Sequence, residues 1–283
     1  MDFSEIRRMV IVAMFSDDTL FDKLVLKGGN ALNLVYGFGT RASIDVDFSL
    51  DADFTDLTDT TERILRGLRD RFAEAHHTVF DGKLEARPPR EGVSVVDRWG
   101  GYEVSFKLIE TAGYERYAGD AARARREAVV IGPQNQKTFK VQISKYEHCV
   151  GKRQVELDNY AIYVYTPEML AVEKLRAICQ QMPEYPKRGH PAPRARDFYD
   201  IHTIVTTTGI KLNSAENLQL IGDIFRAKDV NIKLIGKIAE YREFHRPDWP
   251  SVRLSVTGEI KEFDFYFDYL LEQTQLLEAL WKE

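Results

Sequence analysis

Asp45 and Asp47 stand one residue apart in "SIDVDFSL". Around them Ile44, Val46, Phe48 and Leu50 alternate with Ser43, Asp45, Asp47 and Ser49, the period of a half-buried strand. Such a strand points both carboxylates to one face, with their Cα atoms about 7 Å apart. Two carboxylates held that way among apolar neighbours repel each other and are costly without a cation. Mg2+, with Mn2+ as its substitute, relieves the repulsion, and a pair of such ions about 4 Å apart clamps a transferring phosphoryl group. A second pair, Asp51 and Asp53, falls where the strand gives way to a loop and reads as solvated.

Upstream, "KLVLKGGNALNLVYGF" reads as a short buried strand, a Gly28-Gly29 turn and a helix. A turn without side chains lets backbone amides approach an anion. The helix start beyond it adds oriented N–H groups and a positive dipole end, a cradle for phosphate. Taken alone, Gly-Gly serves equally well as an ordinary turn. Farther on, Lys140, Gln142 and Ser144 share the polar face of the strand "FKVQIS", opposite Phe139, Val141 and Ile143.

These residues need a scaffold, and the chain is long enough for one large or two ordinary domains, at 283 residues. With 44% hydrophobic and 29% charged residues it reads as a soluble globular protein. No apolar run reaches membrane-span length. The start, "MDFSEIRRMVIVAMFSDD", reads as an amphipathic helix rather than a signal peptide. Cys149 and Cys179 are the only cysteines and form no metal or disulfide spacing, so a reducing cytoplasm is expected. The net charge of −5 argues against a general nucleic-acid coat protein. Two basic tracts, "ARARRE" at 122–127 and "PKRGHPAPRAR" at 186–196, could still meet phosphate locally, or be a solvated helix face and a polar linker.

Helices are expected over 4–15 and 56–76, the latter capped by Thr55 or Asp56, and strands over 102–110, 137–144 and 161–165. At Thr166-Pro167-Glu168 the texture changes with a strong helix start. Helices then follow over 167–181, 195–207, 213–227, 230–243 and 262–282. A boundary near residue 165 therefore separates an α+β domain, 1–165, from a helical domain, 166–283. Lys174 flanks the buried stripe of the first of these helices, and Asp197 lies on the Ile201 and Ile204 row of the next. The two could meet at the domain seam, either around phosphate or as a plain salt bridge. His148 beside Cys149 and the His76-His77 pair lack the rest of any catalytic or zinc set.

A strand, a Gly-Gly turn, a helix and a strand with Asp-x-Asp resembles the layout of polymerase-β-like nucleotidyltransferases. More narrowly, "KGGNALNLVYGFGTRASIDVDF" resembles the AbiEii/AbiGii-type nucleotidyltransferase toxins of bacterial abortive-infection and toxin–antitoxin systems. The likeness continues in "EMLAVEKLRAICQQ" and "RARDFYDIHTI", through Lys174, Arg196 and Asp197, and covers most of residues 24–205. It implies an α+β fold: a nucleotidyltransferase domain with a mixed β-sheet, followed by a C-terminal helical bundle. It further implies Lys27, Gly28, Gly29, Asn30, Arg41, Ser43 and Lys140 around the nucleotide. Asp45 and Asp47 would hold the metal and act in catalysis with Lys174 and Asp197. The implied reaction moves a nucleoside monophosphate from an NTP onto RNA, at the 3′ end of tRNA, and a cognate antitoxin is implied as a partner. The resemblance also implies a third carboxylate on a later strand; Gln142 stands there in "FKVQIS", and Glu103 in "YEVSFKLIE" is another candidate acid. Two alternatives stand beside the implied reaction: the same transfer onto a protein or small molecule, and a non-catalytic nucleotide-binding module, to which Gln142 lends support.

Overall fold

The computed structural model describes residues 1–38, 45–88, 100–117, 120–131, 135–187 and 190–282. The chain divides into two compact units. Among the described residues the first holds 1–35, 45–88 and 100–164, and the second holds 36–38 and 165–282.

The first unit is a seven-stranded sheet of β1 (Leu24–Lys27), β2 (Val46–Leu50), β3 (His77–Arg87), β4 (Gly101–Glu110), β5 (Phe139–Ser144), β6 (Arg153–Leu157) and β7 (Tyr160–Val164). Their order is β3-β4-β5-β2-β1-β7-β6. The sheet is mixed: β2 runs antiparallel to β1 and parallel to β5, and β1 runs parallel to β7. Alternation decides its two faces. Val46, Phe48 and Leu50 are buried, and Phe48 packs edge-on against Phe15 of the helix Phe3–Phe15 at 5.7 Å. Phe106 likewise meets Phe72 of the helix Leu57–Ala73 at 6.0 Å. Each helix starts where a side chain caps it: Asp2 in a capping box with Glu5, and Asp56 accepting from the Thr58 and Asp59 amides. The other face carries a polar row. Lys27 pairs with Asp47, Asp47 with Gln142, and Gln142 with Glu103, and residues directly opposite in a sheet share a face.

Two strands were not anticipated from the sequence. The helix expected to reach residue 76 stops at Ala73, and His77 opens β3. A register shift between Phe80 and Lys83 breaks the period-two pattern there, with Asp81 at φ 50°. A bulge of this kind hides a strand from alternation. β6 is joined to β7 through Asp158 and Asn159, both at positive φ (53° and 65°), the backbone of a tight two-residue hairpin.

The second unit is helical. Its main helices are Pro167–Cys179, Ala195–Thr208, Ala215–Ala227 and Phe263–Gln275. The expected α-helix over 230–243 is instead a 3₁₀ helix, Ile232–Tyr241, with one α turn, Arg242–His245. Phe198 anchors the core, stacked on Phe267 at 5.0 Å and edge-on to Phe263 at 5.4 Å. The first two helices are also cross-linked by charge. Lys174 Nζ donates to Asp200 at 2.7 Å and Asp197 at 3.4 Å, and all three side chains are nearly inaccessible.

Removing one partner of a buried ion pair is far costlier than replacing the pair, because a buried charge is left behind. Lys174→Met is therefore expected to cost about 3–5 kcal/mol, a fall in melting temperature on the order of 10 °C by thermal circular dichroism. Burial alone would raise the Asp197 carboxyl, but the Arg194, Lys174 and Arg196 charges outweigh it and hold the group well below the ordinary carboxylate range. A carboxyl depressed in the fold contributes stability that is complete above its unfolded value, near 4. That contribution is lost as pH falls toward the folded value. Asp197→Asn should accordingly flatten the acid limb of a stability-versus-pH curve below about pH 4.

Candidate active site

The site in the first unit is assembled where β1 ends. Lys27 is extended, at φ −140° and ψ −167°, and Gly28 then turns with φ +71°. A short helical turn, Gly28–Asn30, leads into a π-helical stretch, Ala31–Val35. The turn needs glycine twice over. Its φ lies in the left-handed region that side chains disfavour, and a Cβ at Gly28 would lie 2.6 Å from Asp47 Oδ2. Backbone of the Gly-Gly turn and the second aspartate of Asp-x-Asp are thus in immediate contact. Gly29 is buried behind them.

Asp47 is a ladder residue, flanked by Lys27 on one strand and Gln142 on the other. Asp45 lies one residue before β2, and Asn30 Nδ2 donates to its backbone carbonyl at 2.6 Å. Both aspartates are partly exposed, whereas Asn30 is fully buried. Lys27 is buried too: its Nζ donates to Glu147 at 3.0 Å, with side-chain exposures of 6% and 4%. Arg41 and Ser43 lie outside the described residues.

Glu103 shares the row but is two strands from Asp47, about 10 Å away laterally, with Gln142 between them. It is tied to Arg87 at 2.9 Å and to Lys140 at 3.3 Å. Burial raises its carboxyl, yet the two cations outweigh that and leave it depressed. Lys140 is partly exposed beside it. Among the described residues no group of three or more His, Cys, Asp or Glu side chains could hold a metal ion. The set on offer beside the turn is two aspartates, Asp45 and Asp47. That suits Mg2+, which is usually held by one or two carboxylates together with substrate phosphates and water, and it does not suit an all-protein cage. The downstream pair does something else: Asp51 pairs with Lys152, and Asp53 pairs with Lys145 and accepts from the Tyr102 hydroxyl at 2.8 Å. It braces the sheet, and Asp53 is not simply solvated.

The second unit pairs Lys174 with Asp197 as a buried salt bridge, the plainer of the two readings, and adds residues that spacing did not reveal. Asp200 takes the shorter bond from Lys174, and Arg194 Nε is paired with Asp197. His245 Nδ1 accepts from the Arg194 amide at 3.1 Å, and burial pushes its imidazole down to about 4, so it is neutral near pH 7. Asp200 carried a signal, being one turn beyond Asp197 on the same helical face. His245 and Glu147, distant in sequence from their partners, carried none. The 186–196 tract is partly spent internally: Lys187 pairs with Asp229 and Arg194 with Asp197, while Arg196 is exposed. Arg188 lies outside the described residues. In the other tract Arg125 is paired with Asp81.

No helix among the described residues is long and apolar enough to cross a membrane. A comparison with curated proteins finds no match. Among solved structures the chain is similar to JHP933 from Helicobacter pylori, with TM-score 0.51 and 16% identity over 98% of this chain and 90% of that one. At this identity the likeness speaks for the fold. An antigenic nucleotidyltransferase-like protein from Paracoccidioides brasiliensis aligns with TM-score 0.41 and 14% identity, over 90% of this chain and 95% of that one. The family profile described as nucleotidyl transferase AbiEii toxin, type IV TA system, matches residues 10–269. With nearly the whole chain matched, and a mixed sheet that sets a glycine turn against Asp-x-Asp, the protein belongs to the AbiEii family of nucleotidyltransferase toxins.

Proposed function

We propose that this toxin transfers a nucleoside monophosphate from an NTP to the 3′ end of tRNA, with Mg2+ or Mn2+ held by Asp45 and Asp47. The observation that carries the reading is the contact between the Gly28 backbone and the Asp47 carboxylate. It joins a turn able to accept phosphate to a residue able to hold the metal that phosphate needs. In the reaction an acceptor hydroxyl gives up its proton to water as its oxygen bonds to the α-phosphorus of the NTP. The bond from that phosphorus to the β-bridging oxygen breaks, and pyrophosphate leaves. The divalent ion, when bound, supplies positive charge against the phosphate oxygens.

The chain's own residues do the rest. The Gly28-Gly29 backbone admits the triphosphate where a side chain would exclude it. Lys27, fixed by Glu147, sets the end of β1 from which that turn springs. Lys140, beside Glu103 on the same face, contributes a cation near the phosphates. Lys174 and Asp197, locked on each other, hold the helix that presents the exposed Arg196 to an RNA backbone. Coulombic attraction of that kind is sequence-independent and salt-sensitive. The type IV toxin–antitoxin family implies an antitoxin as the functional partner.

Labelled transfer tests the proposal: each α-32P NTP is incubated in turn with purified protein, total tRNA and Mg2+. Label on tRNA, abolished by EDTA, is the expected result. Absence of label from all four NTPs would sink the RNA acceptor, and label on protein instead would redirect the search. Asp45→Asn and Asp47→Asn should each lower transfer by about 10²–10³-fold or more with unchanged circular dichroism. Growth arrest that survives both substitutions would favour the non-catalytic alternative.

Gly28→Ala is expected to fail for a different reason. A left-handed φ costs an L-residue about 1–2 kcal/mol, and the added methyl must push Asp47 aside. Transfer should therefore fall much more steeply than the melting temperature, which a paired rate and thermal-shift measurement would show.

A further inference from the structure

Asp47 pairs with strand partners on both sides, Lys27 and Gln142. The ladder of β2 opens at Val46, paired with Val141, and Asp45 precedes it. Its carbonyl is met by the Asn30 side chain at 2.6 Å. Asn30 is fully buried, and the other end of its amide is engaged as well: Oδ1 accepts from Arg7 Nη1 at 3.3 Å.

Arg7 belongs to the helix Phe3–Phe15 and is 5% exposed. Its Nε donates to the Phe3 carbonyl at 3.4 Å, and its guanidinium lies 5.0 Å from the Phe3 ring centroid. The chemistry of the pair is directional. A guanidinium only donates, whereas an amide side chain can present either its oxygen or its nitrogen. With Arg7 on one side, the Asn30 oxygen must face the guanidinium, and the nitrogen must then face Asp45.

We propose that Arg7 and Asn30 form a positioning relay that fixes the first aspartate of Asp-x-Asp, with Arg7 setting the orientation of the Asn30 amide and Asn30 holding the Asp45 backbone. Asn30 then acts on the site through Asp45 and does not contact nucleotide. The relay rests on Asp45 having the metal role proposed above, but its mechanical half does not depend on that role.

Two measurements on the purified full chain separate the halves: hydrogen exchange by mass spectrometry in a peptide spanning residues 45–50, and Mn2+ binding followed by electron paramagnetic resonance. Asn30→Asp keeps an oxygen toward Arg7 but sets another against the Asp45 carbonyl. It is expected to speed exchange in that peptide and weaken Mn2+ binding, each by about tenfold, the scale of one lost hydrogen bond. Arg7→Met should shift both in the same direction, and the double variant should be no worse than Asn30→Asp alone, as for residues acting through one chain. Arg7→Lys, which keeps a buried donor, should restore exchange toward wild type. If Asn30→Asp does not fold, the contrast between Arg7→Met and Arg7→Lys decides. Folded variants that exchange and bind Mn2+ like wild type overturn the relay, as does full additivity of the two substitutions. If the wild type binds no Mn2+, the metal reading fails and the exchange measurement still judges the relay.

Discussion

A Cβ on Gly28 would lie 2.6 Å from Asp47 Oδ2, so in the observed register of β1 and β2 the Asp47 carboxylate keeps its place only if residue 28 has no side chain. The register is itself demanding. Moving β2 by one residue would send Val46, Phe48 and Leu50 to the polar face and Asp47 into the helices. The buried contacts of Phe48 with Phe15 and of the neighbouring strands with the same helical layer therefore lock the register. The glycine contact then turns that locked register into a candidate site, because it leaves the carboxylate directly beside the Gly28 backbone.

Buried charge is used here for placement more than for cohesion. Lys27 with Glu147, and Lys174 with Asp197 and Asp200, are all almost inaccessible. Such pairs contribute little net stability over apolar residues of similar size, yet they penalise any arrangement that separates them. In the first unit this fixes the strand end from which the turn starts. In the second it fixes one helix against the next, and with them the direction in which Arg196 projects.

Most of the architecture was legible in the sequence because its signals are local. The strong start at Thr166-Pro167, the alternation in β2 and β5, and the Asp56 cap each depend on a few adjacent residues, and each is found as expected. β3 escaped because its bulge at Asp81-Gly82 breaks the period on which strand reading relies. β6 was missed as well, although the Asp158-Asn159 turn that joins it to β7 has the residue types of a hairpin. At the site, the residue types of the turn and the two aspartates were visible, and so was the Lys174–Asp197 pairing. The partners that hold them were not: Glu147 is 120 residues from Lys27, and Arg7 reaches Asn30 across 23. Their identity depends on where the folded chain returns, which no short window contains.

The parallel pairing of Val46 with Val141 has a consequence in time. About a third of the chain lies between the two halves of that ladder, and closing so long a loop is entropically slow compared with forming local helices. The aspartate strand can pair with β1 early, but its other flank stays open until β5 has been made. During synthesis the N-terminal segment therefore leaves the ribosome with every residue of Asp-x-Asp present and no finished sheet around it. Late closure of the aspartate strand keeps the Asp-x-Asp ladder incomplete until about half of the chain, through Ser144, has been made.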